Sequence, residues 1–72
     1  MPVNPHPIYA TLGANVRRYR KRCGLKQAQL GELVGLSAAS ICNLEKGRQQ
    51  VYLDTVAAIA NALDVDLLVL VP

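Results

Sequence analysis

The apolar residues of this chain recur with the period of an α-helix in four successive segments. In the first segment, which begins near Thr11, they fall at i, i+4, i+7, i+8 and i+11 and therefore share one face. That face carries Leu12, Val16, Tyr19, Arg20 and Cys23. The pattern predicts a first helix that Thr11 caps and Gly24 ends, because glycine commonly closes a helix in the left-handed conformation.

Three shorter helices are predicted by the segments that follow. A helix over Lys26–Val34 is followed by a glycine-containing turn and by a third helix, which begins at Ser37 and continues to about Lys46. Serine favours a helix start because its hydroxyl oxygen accepts a hydrogen bond from a backbone amide of the first turn. After a polar loop over residues 48–52, Leu53 begins a fourth helix with apolar residues at i, i+3, i+4 and i+7. The sequence therefore predicts an all-α fold.

The two ends of the chain do not follow the helical period. Residues 1–10 contain three prolines, which predict a flexible N-terminal arm because proline disfavours helix in the residue before it. Residues 66–72 are almost continuously apolar and rich in valine, which is typical of a β-strand or a buried tail. The predicted organisation is an arm, one helical domain over residues 11–65, and a C-terminal tail.

The composition fits one small helical domain with a basic end. Of the 72 residues, 51% are apolar and 18% are charged, a balance too apolar for a disordered chain. A chain of this length leaves little room for an elaborate enzyme pocket. The net charge is +3, and the charges are unevenly distributed. Residues 1–36 carry six Lys or Arg and one acidic residue, whereas residues 37–72 carry two Lys or Arg and four acidic residues. The basic half makes nucleic acid the expected partner.

The sequence brings together no set of residues typical of catalysis or metal binding. Cys23 and Cys42 are too few for a disulfide framework, and adding His6 does not reach the roughly four ligands of a structural zinc site. The single histidine has no nearby nucleophile or acid with which to form a catalytic set. The chain shows neither a signal peptide nor an apolar run of about 20 residues. We expect a cytoplasmic, non-enzymatic protein without metal, cofactor or membrane contact.

The second and third predicted helices, with the turn between them, have the pattern of a helix-turn-helix, in which the second helix enters the major groove of DNA. The spacing of Gln27, Gly35-Leu36-Ser37, Ile41 and Glu45-Lys46-Gly47 resembles the Cro/C1 (Xre-like) helix-turn-helix family. The resemblance extends over roughly residues 12–67. It implies a compact fold of four to five helices like that of lambda repressor, in a bacterial or phage protein.

The resemblance also assigns contacts with double-stranded DNA to the motif, which spans residues 27–46, and to the loop after it. The implied DNA-binding residues are Gln27, Ser37, Ala38, Ala39, Ser40, Asn43, Arg48 and Gln49. Gln27 is expected to bind a phosphate and brace the recognition helix. Asn43 is the best candidate for reading a base, since an amide can bond adenine through two atoms, and a solvated amide is the alternative.

Four positions bear on how far the family pattern applies. Where relatives often carry Gln, Arg or Lys, this chain has Ala38 and Ala39, which predicts few direct base contacts and more reliance on phosphates and DNA shape. Gly31 stands where relatives usually carry alanine, and Asp64 stands where many carry glycine. The sequence therefore predicts fewer hydrogen bonds to DNA bases than the family pattern provides.

Arg20 and Glu45 match positions that form a largely buried ion pair in the family. An arginine within an apolar stripe needs such a partner, because an unpaired buried charge is costly. The basic residues Arg17, Arg18 and Arg22 lie on the opposite face of the first helix, where they either contact the DNA backbone or form a solvated surface.

The expected function is transcriptional regulation by a dimeric repressor. The Ser37–Lys46 helix would enter the major groove of a near-palindromic operator, and a strand at Leu67–Val71 would close the homodimer, which resembles the arrangement in HipB-like antitoxins. One alternative is an antitoxin that binds both its promoter and a toxin protein. A further alternative is an interaction module whose helix-turn-helix has lost DNA binding.

Overall fold

The computed structural model describes residues 6–72, and within that range the chain forms five α-helices. They are α1 (Ile8–Arg22), α2 (Gln27–Val34), α3 (Ala38–Glu45), α4 (Leu53–Ala62) and α5 (Leu67–Leu70). The predicted all-α fold is confirmed, and the helix-turn-helix consists of α2, the turn at residues 35–37 and α3.

Helix α1 begins four residues earlier than the sequence pattern predicts, since its N-cap is Pro7 and not Thr11. The imidazole Nδ1 of His6 accepts a hydrogen bond from the Ile8 amide at 3.1 Å, and the His6 carbonyl accepts one from the Tyr9 amide at 2.9 Å. Pro7 suits the start of a helix because its φ of −53° is already helical. Residues 8–10 of the predicted arm are therefore helical, and residues 1–5 lie outside the described residues.

Of the two alternatives for the C-terminal segment, the β-strand is wrong, because residues 67–70 form the short helix α5. Its start is fixed by Asp66, whose carboxylate accepts a hydrogen bond from the Leu68 amide at 3.2 Å. Leu70 is 0% exposed and belongs to the core, and its carbonyl accepts a hydrogen bond from Asn15 of α1 at 3.0 Å. The tail is thus packed within its own chain and does not require a second copy as a partner.

One aliphatic core joins all five helices. Its buried members are Leu12, Val16, Leu30, Ile41, Leu44, Val56, Ile59, Ala60, Leu63 and Leu70. Helices α2 and α3 pack against each other, α1 crosses α3, and α4 packs on α2 and α5. The inner face of the helix-turn-helix is therefore held by α1 and α4, which α5 contacts in turn, while its outer face remains free.

Two glycines permit close approaches that position α3. A Cβ on Gly13 would lie well under 3.0 Å from the backbone of Leu44 and Glu45, so α1 passes directly against the end of α3. A Cβ on Gly31 would lie well under 3.0 Å from the carbonyl oxygen of Leu36, in the turn between α2 and α3. The backbones meet at these points without intervening side chains.

Candidate nucleic-acid interface

Helix α3 has a buried inner face and an accessible outer face. Ile41 and Leu44 are buried in the core, whereas Ala38 and Ala39 are exposed and Asn43 is partly exposed. An α-helix with its side chains is about 10–12 Å in diameter, which fits the roughly 12 Å width of the DNA major groove. The accessible face thus has the size and shape to enter that groove.

The first turn of α3 is capped by Ser37. Its hydroxyl oxygen accepts a hydrogen bond from the Ser40 amide at 3.0 Å, and its hydroxyl proton is donated to Ser40 Oγ at 3.1 Å. Ser40 therefore retains its own hydroxyl proton for another acceptor. The cap leaves the other first-turn amides of α3 without partners inside the helix, at the end where the helix dipole attracts anions.

Asn43 and the loop after α3 form one continuous surface. Arg48 Nη1 donates to Asn43 Oδ1 over a long distance of 3.4 Å, and both Arg48 and Gln49 are exposed. A contact this long is weak and easily exchanged for a stronger partner. The Asn43 amide nitrogen, with two protons, is free of this contact.

Beneath α3, Arg20, Glu45 and Gln27 form a hydrogen-bond network. Arg20 Nε donates to Glu45 Oε2 at 2.6 Å, and Arg20 Nη2 donates to Glu45 Oε1 at 3.0 Å, so the pair is bidentate. The two side chains are only 8% and 2% exposed. Gln27 Nε2 donates to Glu45 Oε1 at 3.1 Å, and Arg20 Nη1 donates to the Leu25 carbonyl at 2.8 Å. The network thereby connects the end of α1, the start of α2 and the end of α3.

The network satisfies its own charges. The hydrogen bond with Glu45 raises the pKa of the Arg20 guanidinium, and the attraction of the carboxylate adds to this effect while burial opposes it. Within residues 6–72, every buried side-chain nitrogen and oxygen has a hydrogen-bond partner. Arg20 and Glu45 therefore act through the position of α3, and Gln27 still has a second amide proton for a phosphate.

The predicted basic face of α1 divides into two parts. Arg17 and Arg18 line an open cleft of about 590 Å³ together with Lys21 and Lys46. Arg22 instead lies over the ring of Tyr19, with its guanidinium carbon 5.2 Å from the ring centre. Lys46 was not predicted as a site residue, because a lysine at the end of a helix is common. It lies seven positions after Ala39, however, and therefore on the same helical face.

Neither membrane-spanning helices nor metal-binding clusters occur in the part of the chain that the structure describes. No helix there is both long and apolar enough to cross a bilayer. Residues 6–72 also contain no group of three or more His, Cys, Asp or Glu that would hold a metal ion, and Cys23 and Cys42 are free thiols.

An exposed helix that follows a tight turn, with its inner face fixed by the rest of the domain, defines the class of helix-turn-helix proteins. A family described as "Helix-turn-helix domain" matches residues 11–70, and this chain belongs to that family. The predicted membership in a helix-turn-helix family is therefore confirmed.

Individual proteins of known sequence or structure agree with this assignment. An uncharacterized HTH-type transcriptional regulator of Methanothermobacter thermautotrophicus is 44% identical over 48 residues, which cover 67% of this chain and 70% of that protein. The restriction-modification controller protein C.AhdI of Aeromonas hydrophila has a TM-score of 0.84 at 29% identity, over 90% of this chain and 98% of its own. The clp gene regulator ClgR of C. glutamicum has a TM-score of 0.81 at 26% identity, over 94% of this chain and 83% of its own.

Proposed function

We propose that this protein is a sequence-specific DNA-binding regulator of transcription that inserts α3 into the major groove. The observation that carries the proposal is the buried network of Arg20, Glu45 and Gln27, which fixes the end of a helix whose outer face is left accessible. A preorganised helix loses little conformational entropy on binding, which favours affinity. The names of the similar proteins, which include two regulators and a controller protein, support the same function.

The proposed reading of DNA relies on few base contacts. Asn43 reads a base through its amide, while the methyl groups of Ala38 and Ala39 contact thymine methyls without hydrogen bonds. Phosphates are held at the two ends of α3 and at the start of α2 by five side chains, those of Gln27, Ser37, Ser40, Arg48 and Gln49. Specificity then depends to a large extent on how easily the DNA adopts the required shape.

We also propose that the regulator is a homodimer that represses by occupying a near-palindromic operator. Exposed apolar side chains on α4 and α5 are available for this contact: Leu53 is 67% exposed and Leu68 is 77% exposed. Beside Leu53, a groove of about 150 Å³ is lined by the first turn of α1 and by Val71 and Pro72. Such exposed apolar surface commonly marks a protein contact.

The DNA-binding proposal is tested by selecting bound duplexes from a random pool and measuring affinity by fluorescence anisotropy. We expect the selected duplex to bind at least about 10³-fold more tightly than a scrambled duplex of the same composition. Asn43→Ala should reduce this preference by about 1–3 kcal/mol at one base pair. Asn61→Ala is the matched control, because Asn61 is an exposed asparagine on α4. Equal affinity for selected and scrambled duplexes would contradict the proposal.

The homodimer is tested by sedimentation equilibrium of wild type, Leu68→Glu and Leu33→Glu. Leu33 is 61% exposed on α2, so its substitution adds the same charge outside the proposed contact. We expect only Leu68→Glu to be monomeric and to bind the operator weakly. A wild-type monomer at micromolar concentration would refute the homodimer.

The antitoxin alternative places a toxin protein on the same apolar surface. A toxin gene adjacent to the gene of this protein, with a product that co-purifies with wild type and fails to co-purify with Leu68→Glu, would support it.

A further inference from the structure

The cleft between α1 and the end of α3 is lined by four cations. They are Arg17, Arg18, Lys21 and Lys46, and all four are exposed. The one acid in the lining is Glu45, whose carboxylate is already engaged by Arg20 and is 2% exposed. Among residues 6–72, the lone salt bridge is that between Arg20 and Glu45, so none of the four cations is neutralised by a described neighbour. The cleft therefore has a strongly positive potential.

Local geometry explains why these cations come together. Residues 14, 17, 18 and 21 follow the i, i+3, i+4, i+7 spacing of one helical face, and alanine at position 14 leaves the floor of the cleft open. Because Gly13 has no side chain, α1 lies directly against the last turn of α3. Lys46, the residue that follows α3, is thereby brought to the other wall of the cleft.

The cleft continues the accessible face of α3. Ala39, Asn43 and Lys46 are spaced at i, i+4 and i+7, so Lys46 prolongs the face on which Asn43 lies. A duplex that receives α3 in its major groove has a phosphate backbone along each side of that groove. Lys46, at the end of this face, and the three other cations of the cleft would then lie beside one of those backbones.

We propose that this cleft binds the phosphodiester backbone of DNA beside the base pairs that α3 faces, so that α1 supplies a sequence-independent contact. The inference rests on the proposed function of α3 and adds a second element of the chain to the DNA interface. Arginine suits the role because its guanidinium group binds phosphate through two parallel hydrogen bonds. The cleft is open and lacks an apolar anchor, which favours a polyanionic backbone over a folded protein partner.

The proposal predicts a change in the salt dependence of binding. With a random-sequence duplex as the probe, Arg18→Gln and Lys46→Gln should each reduce the slope of log K against log salt by about 0.9. The corresponding loss of affinity is on the order of tenfold at about 50 mM salt. The control is Arg22→Gln, which removes the same charge from the same helix but outside the cleft, and its slope should equal that of wild type.

A second readout separates this contact from base reading. The cleft variants should weaken binding to the selected duplex and to the random duplex by the same factor, which leaves their ratio unchanged. Asn43→Ala, by contrast, should reduce the ratio. Circular dichroism at the assay temperature checks that each variant is folded, which is expected because the substituted side chains are exposed.

The outcomes distinguish failure of the cleft from failure of the proposed function. If wild type prefers its selected duplex but the cleft variants retain the wild-type slope, the cleft proposal is wrong and the function stands. If Arg22→Gln lowers the slope as much as Arg18→Gln, net charge explains the effect and the cleft proposal is again wrong. If wild type binds neither duplex, both proposals are overturned.

Discussion

Replacing Arg20 by alanine should remove a large part of the stability of the domain. The substitution removes both hydrogen bonds to Glu45 and leaves that carboxylate buried, with Gln27 as its remaining partner. It also removes the donor that satisfies the Leu25 carbonyl in the turn between α1 and α2. Breaking a buried ion pair by removing one partner costs about 3–5 kcal/mol.

That cost is large compared with the stability of so small a protein. At about 0.05–0.15 kcal/mol per residue, a chain of 72 residues is stable by about 4–11 kcal/mol in total. The side chains of Arg20 and Glu45 are 8% and 2% exposed, so water compensates little of the loss. The pKa of Arg20 is raised in the folded protein, which means that its contribution is fully present at every pH below its ordinary, unfolded-state pKa. The contribution of the Arg20 charge to the free energy of unfolding should therefore be the same in neutral and mildly alkaline buffers.

The double variant Arg20→Met/Glu45→Leu is expected to recover most of the loss. Replacing both partners of a buried pair by apolar residues of similar volume is often neutral or stabilising. Gln27 and the Leu25 carbonyl lose their partners in this variant, but both lie in half-buried residues that water reaches. The double variant should thus be far more stable than either single variant.

The assay is urea unfolding followed by circular dichroism, with the free energy taken from the midpoint and slope of the transition. The control is Arg18→Ala, an exposed arginine on the same helix whose loss should change stability by less than about 0.5 kcal/mol. An Arg20→Ala protein with the wild-type midpoint would refute the reasoning. A double variant whose loss equals the sum of the two single losses would refute it as well, because the two charges would then act independently.

Substitutions at three further positions test local features, by the same unfolding assay except where DNA binding is named. Gly31→Ala should destabilise, although alanine favours helix by about 1 kcal/mol, because the new Cβ would collide with the Leu36 carbonyl oxygen; a stabilised variant would show that the turn can move away. Asp64→Gly should stabilise by about 0.5–1 kcal/mol, because Asp64 has a φ of +56°, and Asp64→Ala should instead destabilise. Ser37→Ala should lose about 1 kcal/mol with the cap to Ser40. Ser37→Asp should keep the cap but weaken DNA binding, since its carboxylate repels phosphate; unchanged affinity in anisotropy would place Ser37 away from the backbone.

The helices of the domain could be predicted where apolar periodicity and helix-ending residues agreed. The second and third helices are observed within one residue of their predicted bounds, and the fourth begins at Leu53 as predicted, because Gly35, Ser37 and Gly47 mark chain reversals by local chemistry. The start of α1 was missed because the side chain of His6 serves as an acceptor for the first amide, which no periodicity reveals. Local signals therefore suffice for helix interiors but not for an end that depends on an unusual acceptor.

The strand alternative for the C-terminal segment was wrong because a local cap and a contact distant in sequence both favour a helical turn there. A run rich in valine and leucine reads as a strand, but Asp66 caps a helical turn and Asn15 of α1 holds the Leu70 carbonyl. Composition alone cannot show that the core has space for Leu70. The cleft at Lys46 was missed for the same reason, since it depends on how closely α1 approaches α3 at Gly13.

The hydrogen bond between Asn15 and Leu70 spans 55 residues and joins the first helix to the last. Because α5 follows the helix-turn-helix in the sequence, the helix-turn-helix is synthesised before Leu70, the residue that completes the core. A nascent or prematurely ended chain lacking α5 would expose the apolar residues that Leu70 covers, and quality-control proteases act on such states. Helix α1, which positions α3 through Gly13 and Arg20, is therefore held from the far end of the chain, and removal of α5 should weaken the position of α3 although α5 lies outside the helix-turn-helix.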